Sequence, residues 1–368
     1  MKQISSEAIW RTDEKELSAI LENDLLRFRP KRIRFYAPSF MYYRTSYYRS
    51  SPRDFPTISV TGKGCALNCK HCGGLVLETM YPVTSSEELF ELCVQLKKRG
   101  AVGCLISGGC LSNGSVPVGK FVNGIKKVKR ELGLTVLVHT GIIDRSTAEA
   151  LVKAKVDSAL IDIIGSDETI KEIYKLNVTV ENYSDSLKVL QESGISFVPH
   201  VIVGLHYGRL KGELHALQMI RRYRPSALVT IAFMPIRGTE MEEIEPPEPV
   251  AIAKVIAVAR LMFPETPLVL GCMRPKGKHR VETDRMAIKA GVDAIAFPTE
   301  EAVKFAEAQG MDVSFSSLCC SQIYVDSIRQ PIFDGQQLLS SRQTLRKPLQ
   351  GRQEEQDFQQ RKTLRMQR

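Results

Sequence analysis

What this 368-residue chain lacks narrows its class before any motif is considered. It has no run of 18 apolar residues and no apolar stretch behind a charged N-terminus, so a membrane-spanning helix and a secretory leader are not expected. No segment repeats itself, which excludes solenoids and propellers. A basic surplus is missing where a nucleic-acid groove would need one. Of the formal charge of +10, residues 1–54 carry +4 and residues 331–368 carry +4, leaving +2 for everything between. The charge lies on the flanks, so nucleic acid is not an expected partner of the central region. Nine cysteines without an export signal fit a reducing, cytoplasmic setting, where thiols serve metals and not disulfides.

What is present is concentrated in one stretch. A short apolar run, Thr57 to Val60, leads into Thr61-Gly62-Lys63-Gly64-Cys65-Ala66-Leu67-Asn68-Cys69-Lys70-His71-Cys72-Gly73-Gly74, with its cysteines spaced C-x3-C-x2-C. A structural zinc site takes four protein ligands, usually as two pairs. Three thiolates on a cubane iron-sulfur cluster leave one iron open to an outside ligand. The glycines supply the backbone freedom a short cluster-wrapping loop needs.

From residue 56 the pattern alternates between strands and helices, which predicts a parallel sheet with crossover helices. Strands are expected at 57–60, 102–107, 135–139, 158–163, 196–203, 227–233, 268–271 and 293–297. Eight such units predict an α/β fold of the (β/α)8 TIM-type barrel, with a partial barrel as the alternative. Residues 1–54 read as an N-terminal extension: an amphipathic helix over 5–27, marked by Ile9, Leu17, Ile20, Leu21 and Leu25, then an aromatic and basic run from Arg32 to Arg49. That run is expected to pack its rings over one end of the barrel or to dock a partner. The barrel spans 55–320, and the Gln- and Arg-rich tail over 321–368 is expected to be disordered.

In a β/α barrel the residues that follow each strand gather at one mouth. Here these are Cys65, Cys69 and Cys72; Gly108, Gly109 and Cys110; His139; Asp162; His200, with Ile202 and Gly204; and Cys272. Cys93 and Cys104 fall at core positions. Cys110, Cys272, Cys319 and Cys320 read either as buried small hydrophobes or as ligands of a second iron-sulfur cluster.

The loop from Cys65 to Cys72 resembles the radical S-adenosylmethionine (radical SAM) superfamily motif. That resemblance implies a 4Fe-4S cluster on Cys65, Cys69 and Cys72, with S-adenosylmethionine on the open iron and His71 near the adenine. It further implies that Gly108 and Gly109 approach the amino group of the cofactor, that Asp162 meets the ribose hydroxyls, and that the segment from Ile202 to Gly204 supports the adenine. Cys110 stands where the family often carries Glu. Over residues 56 to 320 the chain is similar to the biotin-synthase branch, and the stretches around Cys65–Met80, Ser107–Pro117, His139–Gly141, Pro199–Gly208 and Gly271–Pro275 resemble one component of the archaeal-type, two-protein lipoyl synthases. This implies radical-driven sulfur insertion into an octanoyl chain on a carrier domain, a second radical SAM protein as partner, and an electron donor such as ferredoxin or flavodoxin. Two other readings stay open: a radical SAM enzyme of another cofactor pathway without sulfur transfer, and a non-catalytic or RNA-associated iron-sulfur protein. No catalytic residue is assigned.

Overall fold

The computed structural model describes residues 4–24, 26, 30–38, 42–51 and 53–326; of the expected tail over 321–368, residues 327–368 lie outside them. Eleven parallel strands form one sheet: β1 (Arg32–Tyr36), β2 (Thr57–Ser59), β3 (Tyr81–Pro82), β4 (Gly103–Ser107), β5 (Thr135–His139), β6 (Ser158–Asp162), β7 (Phe197–Val203), β8 (Leu228–Ala232), β9 (Leu268–Leu270), β10 (Ala294–Ala296) and β11 (Asp312–Ser316). Their order is β11-β1-β10-β9-β8-β7-β6-β5-β4-β2-β3. The sheet is curled into a half-barrel with helices, the partial form of the expected barrel.

All eight expected strands are present, each end within one residue of its expected place. The alternating pattern is this legible because crossover helices bury one face of a parallel sheet while the curl buries the other. Helix starts carry their own signals. Ser85 accepts the Glu88 amide at 3.1 Å to open Ser86–Lys98, and Asp144 accepts the Thr147 amide at 2.7 Å to open Arg145–Lys153. The helix expected over 5–27 is two helices, Ser6–Arg11 and Glu14–Glu22, because Asp13 accepts the Glu16 amide and starts a second one; Leu25 lies outside the described residues.

The N-terminal stretch does more than lie over one end. Arg32–Tyr36 is a strand of the sheet, paired with β10 through Arg34↔Ala294 and with β11 through Arg34↔Ser314. Ile33 and Phe35 are fully buried, which is what earns this short segment a place in the sheet. Tyr47 and Tyr48 do stack on Phe315 of β11, at centroid distances of 6.5 and 5.1 Å.

Two apolar cores follow from strand alternation. One contains Leu89, Leu96, Ile125, Leu151, Leu187 and Ile256 from the helices together with Val136, Val138, Ala159 and Ile161 from the strands, and so is the layer between sheet and helices. The other takes the alternate strand residues Leu137, Leu160, Val198, Val229 and Val269 with no residue from the crossover helices, and so fills the inside of the curl. Its remaining members include Cys320 and Ile323. The segment after β11 therefore turns back into the barrel, and Tyr324 donates to the carbonyl of Asp157, just before β6, at 2.9 Å. Residues 321–326, expected at the start of the disordered tail, instead continue in helical turns, with Ser321, Gln322 and Ile323 buried.

Ionic ties repeat at the strand starts. Asp157 accepts the Val136 amide at 2.7 Å and pairs with Lys129 at 2.5 Å; Asp293 likewise accepts the Leu268 amide at 2.7 Å and pairs with Arg260. Each carboxylate fastens a strand to its neighbour and to a helix. Arg274 and Asp284 form a third pair, fully buried at 2.8 Å.

Candidate active site at the strand ends

The cysteine loop begins where β2 ends. Gly64 turns back to Thr61, and the amides of Cys72 and Gly73 both donate to the Cys69 carbonyl, at 3.2 and 2.8 Å. These turns, with Asn68 and Gly73 at φ of 47° and 50°, fold the C-x2-C segment tightly. The donor atoms of Cys69, His71 and Cys72 consequently lie within 4.8 Å of one another. Cys65 stands beside them: a Cβ placed on Gly74 would be 3.7 Å from its own Cβ. Coupling to Cys69 brings the Cys72 pKa down to about 4, against the effect of burial. Cys69 moves in the opposite direction as the donor of that pair, helped by burial.

Two neighbouring segments hold the loop. After β4, the Gly109 amide donates to the Thr61 hydroxyl at 2.7 Å, and the Ala66 amide donates to the Cys110 carbonyl at 2.8 Å. The approach is too close for a side chain, since a Cβ on Gly109 would sit 2.0 Å from the Gly64 carbonyl oxygen and 2.7 Å from Cys65. On the other side, the Lys70 amide donates to the Ile173 carbonyl at 2.8 Å, and the Cys69 thiol lies 3.6 Å from the Tyr174 carbonyl. The rings of His71 and Tyr174 are 5.2 Å apart, and His71 Nδ1 and the Tyr174 hydroxyl are both buried without a hydrogen-bond partner among the described residues. Buried polar atoms of this kind call for a ligand. Three free thiols and two waiting polar atoms fit a cluster with an exchangeable corner.

A second group gathers on the inner face. His139, Asp162 and His200 end β5, β6 and the middle of β7 with the same alternation as the inner-core residues Leu137, Leu160 and Val198. Asp162 is directly opposite His200 in register, and its Oδ1 is 3.4 Å from His139 Nε2. Burial opposes ionisation of both members of that last pair, yet their mutual attraction prevails: Asp162 is held below the usual carboxylate range and His139 above the usual imidazole value. Burial dominates at His200 and pushes it down to about 4.

The four candidate ligands of a second cluster divide between these regions. Cys110 lies with the cysteine loop, where burial and then Cys65, Asp162 and Cys72 push its thiol up to about 12. Cys272, Cys319 and Cys320 pack against the inner core. Burial and then Cys319 raise Cys272 to about 11, whereas a hydrogen bond from Cys320 and the nearby Ser321 amide bring Cys319 down to about 7, with His139 contributing. These four do not form one set of donors within 4.8 Å of one another among the described residues. Cys93 and Cys104 are fully buried in the layer between sheet and helices.

Ile202 and Gly204 lie at the end of β7, and the Gly204 amide donates to Glu213 Oε1 at 2.8 Å. Glu213 is 4 % exposed, its Oε2 lacks a partner among the described residues, and burial raises its pKa to about 7. Sequence reasoning missed Glu213, Tyr174 and Thr61. Only Thr61, within the cysteine stretch, left a local signal; the other two reach the site through helix placement.

Residues 59–208 match the model of the Radical SAM superfamily. A biotin synthase of Hyphomonas neptunium is 27% identical over 250 residues, which cover 65% of this chain and 75% of the relative. The 3-methylornithine synthase of Methanosarcina acetivorans is 26% identical over 209 residues, 55% of either chain. Among solved structures, a methylornithine synthase superposes with a TM-score of 0.57 at 15% identity, covering 85% of this chain and 95% of that one. That likeness is one of fold.

Proposed function

Since this chain belongs to the radical SAM superfamily, in its biotin-synthase-like branch, we propose that it inserts sulfur into unactivated C–H bonds of an octanoyl chain carried on a protein lysine, together with a second radical SAM protein and a ferredoxin- or flavodoxin-type electron donor. Family membership supplies the cofactors, a 4Fe-4S cluster and S-adenosylmethionine. Bound together and reduced, they provide a 5′-deoxyadenosyl radical for hydrogen abstraction.

The chain's own residues do the rest. Cys65, Cys69 and Cys72 would hold the cluster and leave one corner exchangeable. Thr61 anchors the Gly109 amide, so the backbone after β4 runs against the cysteine loop at a separation no side chain could share. The buried His71 and Tyr174 atoms offer polar contacts there. The inner face carries the partly buried apolar residues Leu105, Ile231 and Leu318, surroundings that suit an acyl chain and keep water from a radical.

The observation that carries the sulfur reading is the placement of the Cys272 and Cys319 thiols on the inner face, separate from the cluster loop, where they would help hold an auxiliary iron-sulfur cluster whose sulfide would be the inserted sulfur. The resemblance to the two-protein lipoyl synthases supplies the octanoyl substrate and the partner. A radical reaction without sulfur transfer is the second reading, favoured by the sequence similarity to 3-methylornithine synthase.

Anaerobic turnover with an octanoylated carrier domain, with and without the second protein, decides between them. The expected result is 5′-deoxyadenosine formation together with a mass gain of sulfur on the carrier. Release of 5′-deoxyadenosine without added sulfur, in the presence of both proteins, would favour the second reading, and no release from reduced, cluster-loaded protein would exclude both. Among the described residues no helix is long and apolar enough to cross a membrane.

A further inference from the structure

We propose that His139, Asp162 and His200 form a binding site for one divalent transition-metal ion of the Zn²⁺ or Fe²⁺ class, distinct from the cysteine loop. The three residues come from consecutive strands on the inner face, and each offers a donor atom within 4.8 Å of the other two. Two imidazoles and one carboxylate are a donor set that zinc and non-haem iron both accept.

The arrangement is a poor one for a purely structural hydrogen-bond network. His139 Nε2 and Asp162 Oδ1 are 3.4 Å apart, beyond the usual range for a charge-assisted contact, and the His139 and His200 rings are 5.9 Å apart without stacking. His200 places Nδ1 3.1 Å from the Val198 carbonyl of its own strand. A bond to a backbone carbonyl fixes the tautomer of a metal-binding histidine and turns the other nitrogen toward the ion. Here it leaves Nε2 for that purpose.

The site can be tested independently of radical chemistry. Full-length chain bearing Cys65→Ala, Cys69→Ala and Cys72→Ala would be titrated anaerobically with Co²⁺ and followed by visible absorption. The expected result is one equivalent bound, with ligand-field bands. His139→Ala and His200→Ala, added singly, should each weaken binding at least about tenfold. Where an alanine variant loses its native circular dichroism, the corresponding glutamine variant replaces it. Absence of ligand-field bands in the parent, or bands and affinity unchanged in folded His139 and His200 variants, would overturn the site. Because the readout is metal binding by a chain unable to hold the radical cluster, its failure leaves sulfur insertion untouched, and failed turnover leaves this site untouched.

Discussion

The loop from Cys65 to Cys72 and the inner-face group of His139, Asp162, His200, Cys272 and Cys319 both gather soft or borderline donors, but by opposite means. The first takes its shape from hydrogen bonds closed within a few residues, with Cys72 and Gly73 both returning to the Cys69 carbonyl. The second has almost no local structure of its own: its members are brought in by strands, a loop and a returning segment separated by up to about 180 residues. A motif of the first kind survives as spacing, whereas one of the second kind exists only when the sheet has the right alternation. Cys110 illustrates the difference. It follows a strand as Cys272 does, but the Ala66 amide bonded to its carbonyl places it with the cysteine loop.

The contrast is sharpest in iron content. Cys69→Ala should lose the reconstituted cluster and 5′-deoxyadenosine formation altogether, while Cys93→Ala, deep in the helix layer, should keep both. Iron assay and product chromatography check this pair, and an iron-loaded Cys69→Ala protein with full turnover would break the distinction.

The inner-face group should respond through stability. Arg274 donates to Asp284 at 2.9 Å and to the carbonyls of Gly271 and Ala296 at 2.6 and 2.7 Å, thereby fixing the turn that carries Cys272. Arg274→Ala would strand a buried carboxylate and cost about 3–5 kcal/mol, measured by denaturant unfolding.

Glu213 tests the support of β7. Its folded pKa of about 7 lies above that of an exposed carboxylate, so the folded state holds the proton longer than the unfolded one. Stability is therefore greatest below the unfolded value and falls as pH rises toward about 7. Across that window the loss is about 3 kcal/mol. Glu213→Gln keeps an acceptor for the Gly204 amide and should flatten the profile; unfolding curves at about pH 5 and about pH 8 would reveal it.

The smallest change probes the loop from outside. Gly109→Ala pushes a methyl group into the Gly64 carbonyl and Cys65, and overpacking of this kind costs about 1–3 kcal/mol. Its signature should be lower iron retention than in Gly62→Ala, where a Cβ meets nothing within 4 Å although the left-handed backbone strain is retained.

Much of this molecule was legible beforehand because its signals are local. Strands announce themselves by apolar runs, and the cysteine loop by spacing. Illegible were features whose cause lies elsewhere in space. Arg32–Tyr36 is basic at alternate positions and looks like a surface ribbon; what makes it a strand is the room between β10 and β11. Tyr81–Pro82, only two residues long, pairs through Ile58↔Tyr81 and Ser59↔Pro82 without any run to reveal it. Asp162 and His200 could each be named from sequence, but their facing one another depends on register.

The position of β1 also governs the order in which the molecule can be completed. β1 comes before every other described strand of the sheet, yet it is wedged between the last two, and its partners at Ala294 and Ser314 emerge about 260 and 280 residues later. Until then Ile33 and Phe35 have no seat, and the nascent half-barrel presents a raw edge to the ribosome's surroundings. A fragment trimmed to residues 55–320 would keep every ligand of the cluster loop yet carry that gap permanently, and should aggregate where the longer chain does not.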